Sequence, residues 1–94
     1  SKGAIEGLTR ALSAELAPRV RVNCIAPSLT DTPLSAALLS TPEKREASAQ
    51  RHPLKRTGTA AEMAALAQFL ISEQAGFITG QVIHADGGLS AIKA

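Results

Sequence analysis

Val20-Arg21-Val22-Asn23-Cys24-Ile25-Ala26-Pro27 is the stretch on which the fold turns. It is short and rich in β-branched residues. That predicts a strand over 20–26, with Val20, Val22 and Cys24 on one side and Arg21, Asn23 and Ile25 on the other. Pro27 stops it. A second short apolar run, Val82 to Ala85, lies far downstream and ends in Asp86-Gly87-Gly88, a turn where glycine can take positive φ. The clearest helix signal stands between the two. Thr59 and Glu62 form a capping box ahead of Met63, Leu66, Ala67 and Leu70, and Gly76 and Gly80 break the helix off. Two apolar strands joined by a helical crossover predict a right-handed βαβ unit of a parallel sheet. Such a sheet needs helices on both faces and more than two strands, so the class is α/β with most of the sheet outside these residues.

Upstream, Ala4, Ile5, Leu8, Leu12 and Leu16 recur on one face of an amphipathic helix over 3–16, which Pro18 ends. Gly3 and Gly7 each cost that helix up to about 1 kcal/mol relative to Ala. With Ala4, Ala11 and Ala14 they give it a small-residue surface that admits a close neighbour. Lys2 falls in the first turn, where the helix dipole disfavours a cation. A helix continuing further upstream explains it better, so the start reads as a truncation. The segment from Pro27 to Pro53 is polar and rich in turn residues. Thr32-Pro33 and Thr41-Pro42 each place an N-cap before a first-turn proline. Residues 33–52 are therefore expected to form a lid or binding loop.

Composition narrows the function classes. The chain has 94 residues, enough for one small domain with a modest core. Aromatics are 2%, with no Trp or Tyr, so the core must be Ala, Leu, Ile and Val, and no platform for stacking bases exists. A net charge of +2 is too mild to imply nucleic acid or membrane. No apolar run approaches the roughly 18 residues of a spanning helix. One cysteine, Cys24, excludes an internal disulfide and fits a reducing, cytoplasmic setting. His52 and His84 have no partners at metal-ligand spacing, so both read as structural and no metal is expected.

The motifs then fall in a familiar order. Ser1-Lys2-Gly3-Ala4 resembles the end of the Tyr-x-x-x-Lys motif of short-chain dehydrogenases/reductases, and Arg21 to Pro27 resembles their strand leading to a Pro-Gly turn. Thr30-Asp31-Thr32-Pro33 is similar to the stretch that folds over the nicotinamide. Pro53-Leu54-Lys55-Arg56-Thr57-Gly58 is similar to the segment before the penultimate helix. Thr79-Gly80-Gln81-Val82 and Asp86-Gly87-Gly88 resemble the final strand and its turn. The match covers nearly the whole chain. It implies that residues 1–94 are the C-terminal part of one Rossmann-like, doubly wound domain, ordered helix, strand, lid loop, helix, strand.

The same resemblance implies a site. Lys2 would lower the pKa of a catalytic Tyr, the third residue before Ser1, and bind the nicotinamide ribose. Pro27, Ser28, Thr30 and Thr32 would wall the nicotinamide of NAD or NADP, with the Thr30 main chain at its carboxamide and the Thr32 hydroxyl near the carboxamide or the pyrophosphate. Ser28 stands where the family usually has Gly, so a turn needing positive φ would be strained there. The parent would transfer hydride to or from a carbonyl or alcohol substrate and assemble as a homodimer or homotetramer, while these residues alone would be inactive. The other reading is a non-catalytic oligomerisation module. Each residue also has a plainer role: Lys2 as a solvated lysine, Thr30 and Thr32 as turn and cap, Asn23 as a tie from strand to loop, and Cys24 as a small buried hydrophobe. Lys44, Arg45, Arg51, Lys55 and Arg56 read as a solvated face, because Glu43 and Glu46 interleave with them.

Overall fold

A computed structural model describes residues 2–92, the side chain of Lys2 excepted. In order, the elements are α1 (Lys2–Leu16), β1 (Cys24–Pro27), β2 (Thr30–Asp31), a 3-10 helix (Pro33–Leu39), α2 (Pro42–Arg51), β3 (Gly58–Thr59), α3 (Ala60–Ile71), a 3-10 turn (Glu73–Ala75) and β4 (Val82–Ala85). β1 neighbours β4 in one two-stranded sheet, and β2 neighbours β3 in another. The chain divides into two compact units, Ser1–Ile25 with Leu66–Ile83 and Ala26–Ala65 with His84–Ala94.

In the first unit α1 runs where periodicity places it but buries a different side. Thr9 and Ser13 are its buried residues, flanked by half-buried Glu6 and Leu16. Their hydroxyls are satisfied within the helix. Thr9 Oγ1 donates to the Ile5 carbonyl at 2.8 Å and Ser13 Oγ to the Arg10 carbonyl at 2.9 Å. The apolar stripe is open instead, with Ile5 54% and Leu8 59% exposed. Within this chain the close approach to α1 falls at another position. Gly3 and Gly7 have open space around them, whereas Gly80, at φ 74°, comes so near α1 that a Cβ would lie 2.9 Å from Ser13 Oγ.

The first strand starts later than its composition predicts. Its neighbour becomes a strand only at Val82, and residues 21–23 bond instead to the segment before it. Val22 N donates to Thr79 Oγ1 at 3.1 Å. Asn23 donates its amide to the Ile78 carbonyl and accepts from Gln81 N, both at 3.1 Å. This is the strand-to-loop tie expected of it. The Arg21 guanidinium donates to the carbonyls of Ile78 and Ser72. Gly80 N reaches Val22 O at 2.7 Å and Cys24 N reaches Gln81 O at 2.9 Å. Partners advance together along both segments, the parallel sense the crossover predicts. Burial does not alternate, since residues 21–26 are all half-buried, Cys24 among them.

In the second unit β2 and β3 pair in parallel, Thr30 opposite Gly58 and Asp31 opposite Thr59. Both Thr-Pro signals are real helix starts. Thr32 caps the 3-10 helix and Thr41 caps α2, where Lys44 N donates to Thr41 Oγ1 at 3.1 Å. Leu39, 1% exposed, is the apolar anchor of this segment. α3 opens on the expected capping box: Glu62 N donates to Thr59 Oγ1 and Thr59 N to Glu62 Oε1. Met63, Leu66 and Ala67 are half-buried and Leu70 is buried, the face predicted. Gly76 does not stop this helix. It ends at Ile71, where the N–H and hydroxyl of Ser72 both turn back to the Phe69 carbonyl. No helix of the described residues is long and apolar enough to cross a membrane.

Candidate active site at the strand ends

The site begins where β1 runs out. Pro27 is its last residue, exposed and without an N–H, and the chain after it is fixed by side chains. Thr30 Oγ1 donates to the Ser28 carbonyl at 3.1 Å, which closes a tight local turn. Buried Ser35 donates its hydroxyl to the Thr30 carbonyl and accepts from Thr32 N at 3.0 Å. Ser35 N in turn donates to Thr32 Oγ1 at 3.3 Å, completing a capping box. The Thr32 hydroxyl also lies 3.3 Å from Ser35 Oγ, whose own proton goes to the Thr30 carbonyl, so Thr32 donates in that contact and keeps one lone pair open. Gly58 N donates to the Leu29 carbonyl at 3.3 Å and carries the loop into the β2–β3 pair.

The structure thus brings Ser28, Thr30 and Thr32 together in one hydrogen-bonded loop after Pro27. Ser28 carries no strain, because among the described non-glycine residues only Lys55, at φ 61°, has positive φ. The side chain of Lys2 lies outside the described residues.

A cavity of about 290 Å³ opens beside this loop, at the carboxyl ends of β1 and β4. Its lining includes Ser28, His52, Arg56, Glu62, His84 and Asp86. Arg56 holds Glu62 by two hydrogen bonds, 2.7 and 2.6 Å. These bonds, with those from the Thr59 hydroxyl and N–H, pull the Glu62 carboxyl down to about 2. Buried Asp86 accepts from Ser90 Oγ at 2.6 Å and from the N–H groups of Ser90 and Gly88. The Ser90 hydroxyl foremost, then those N–H groups and His84, holds its carboxyl below the usual range. Gly87 and Gly88 take φ 61° and 90° in this turn, as its sequence predicts. Among the described residues no group of His, Cys, Asp and Glu is arranged to hold a metal.

The arrangement has close counterparts. The family model described as enoyl-(acyl carrier protein) reductase matches residues 1–90. The chain belongs to the short-chain dehydrogenase/reductase family. It is 40% identical over 89 residues to short-chain dehydrogenase/reductase SDRA of Arabidopsis thaliana, covering 95% of this chain and 35% of that protein. Against 3-oxoacyl-(acyl-carrier-protein) reductase of Thermotoga maritima it is 44% identical over 91 residues, covering 95% of this chain and 36% of the relative. Among solved structures, 4-hydroxyisoleucine dehydrogenase complexed with NADH superposes with a TM-score of 0.89 at 32% identity, over 98% of this chain and 38% of that one. The chain therefore spans about a third of the length of these family members, and its fold is the corresponding part of a Rossmann-like sheet.

For this short-chain dehydrogenase/reductase chain, the sequence did not announce which residues line the cavity opposite Ser28. His52 is buried and bonded at both ring nitrogens, in keeping with the structural role expected of it, and it also lines the cavity, its Nε2 2.8 Å from Ser28 Oγ. The available signal was local: Ser48 and His52 stand four apart at the end of a predicted helix, and His52 Nδ1 lies 2.8 Å from the Ser48 carbonyl. The partner Ser28, 24 residues away, left no trace in the pattern. The basic stretch is the solvated face expected. All five of its residues are exposed, and two are paired, Arg45 to Asp31 at 3.0 Å and Arg56 to Glu62 at 2.6 Å.

Proposed function

We propose that this chain is the nicotinamide-side part of an NAD- or NADP-dependent oxidoreductase that moves hydride between the cofactor and a carbonyl or alcohol carbon. The observation that carries the reading is the pinned loop after β1, whose Ser28 lines a cavity at the carboxyl ends of two parallel strands. Open α/β sheets bind their ligands outside those ends. Relatives named as dehydrogenases and reductases, one of them solved with NADH, support it.

The residues fit a carboxamide edge. The Thr32 hydroxyl, its proton turned to Ser35 Oγ, keeps a lone pair for the amide N–H, and the main chain at Thr30 belongs to a loop that hydrogen bonds hold still. Such pre-set geometry avoids ordering the loop when the ligand arrives. The bound nicotinamide would supply or accept the hydride. Pro27, Ser28, Thr30 and Thr32 would wall it, and Lys2 would bind its ribose. The Lys2 ammonium would also favour the anionic form of a neighbouring Tyr, tuning that phenol to exchange a proton near neutral pH. The stretch 33–52 would cover the substrate and exclude water. These residues alone would be inactive, lacking the phenol and the phosphate cradle.

In the full-length protein, assayed with NADH and NADPH against a panel of ketones and aldehydes, Lys2→Met should lower kcat by about 100-fold or more. Wild-type turnover in that variant would remove Lys2 from the chemistry. A homodimer or homotetramer is the assembly proposed. The exposed stripe Ile5, Leu8 and Leu12 of α1 favours a second reading, in which the chain serves only as an association module.

A further inference from the structure

We propose that His52 is a positioning residue that ties the loop after β1, through Ser28, to the end of α2 and so sets the wall on which the nicotinamide rests. This builds on the reading of that loop given above. His52 is 2% exposed, the largest polar side chain buried so completely among the described residues. Its Nδ1 faces the Ser48 carbonyl at 2.8 Å, and a carbonyl can only accept, so Nδ1 carries the proton. In the neutral ring Nε2 is then an acceptor, and the Ser28 hydroxyl 2.8 Å away must donate to it. Both ring nitrogens are committed and the direction of each bond is fixed.

The main chain around His52 is held as well. His52 N donates to the Ala49 carbonyl at 3.1 Å, Lys55 N to the His52 carbonyl at 2.8 Å, and Leu54 N to the Gly87 carbonyl at 3.1 Å. The imidazole is therefore a fixed post, and Ser28 is hung on it. A second link between α2 and the loop, Arg45 to Asp31, is about half exposed on both sides, where solvent and salt leave an ion pair little strength. The Ser28–His52 bond is the sheltered one. Losing it leaves a buried acceptor unpaired and frees the residue that follows Pro27 to take other conformations.

The test is a nicotinamide-fluorescence titration of the full-length protein with NADH and with NADPH. It compares wild type with Ser28→Ala, His52→Leu, His52→Gln and the Ser28→Ala/His52→Leu double variant. Ser28→Ala and His52→Leu should each weaken binding of the preferred cofactor about three- to tenfold. The double variant should bind no more weakly than His52→Leu, since both changes break one bond. His52→Gln, whose Oε1 can accept from Ser28, should recover most of the loss. Wild-type affinity in both single variants, losses that multiply in the double, or a Gln variant as weak as the Leu variant each overturns the proposal. Should His52→Leu not fold, Ser28→Ala decides alone, and wild-type affinity there overturns it. A wild type that binds neither cofactor overturns the loop reading itself, and this proposal with it.

Discussion

At the scale of single residues, apart from the tie expected of Asn23, the groups legible in the sequence are those whose partners lie within four positions. Thr59 and Glu62 announce their capping box because the helix start itself brings them together. What the spacing could not give is Arg56 clasping the same carboxylate from six residues upstream, around β3. The clasp has a pH signature. The folded Glu62 carboxyl sits at about 2, below its ordinary 4.5, so its stabilising effect is complete above about pH 4.5 and fades as pH falls toward 2. Glu62→Gln should flatten that part of the acid-unfolding profile, and thermal melts at pH 5 and pH 3 will read it. An unchanged profile would mean the ion pair adds nothing to folding, which 1 M salt would also mimic in wild type.

Elements were legible where local pattern and packing agree, and misread where a neighbour decides. The stretch 33–52 has a sequence poor in apolar residues, yet two Thr-Pro starts make most of it helical. Thr41→Ala should cost about 1 kcal/mol by removing the cap of α2, measured as a shift in urea midpoint at unchanged m-value. β1 was predicted four residues too early because β-branched composition cannot reveal that the facing chain is still a loop at Thr79 to Gln81. The side of α1 that is buried within these residues was not legible for a related reason. Periodicity finds the apolar stripe, but within these residues α1 turns its hydroxyls inward, and Gly80 crosses at Ser13. Gly80→Ala should destabilise by about 1 kcal/mol or more, from its positive φ and from the clash with Ser13 Oγ. Adding Ser13→Ala should recover the steric share and leave the φ share, a partial rescue that a thermal melt can resolve.

For the molecule as a whole, the α/β class and the family could be read before any coordinates, because order and spacing of weak motifs carry more information than any one of them. The family model and the relatives match along nearly the entire chain. Buried apolar side chains among the described residues are Leu39, Leu70 and Ala75, while Ile5, Leu8, Leu34, Ile71 and Phe77 are largely exposed. Burial this thin gives little of the hydrophobic stabilisation a folded domain draws on. Direct titration of the full-length protein with NADH and NADPH, followed by nicotinamide fluorescence, tests the central claim. Saturable binding of at least one cofactor, weakened by Thr32→Val through loss of a hydroxyl at the wall, is the predicted result. No binding of either, or binding untouched by changes at Thr32 and Lys2, would contradict it.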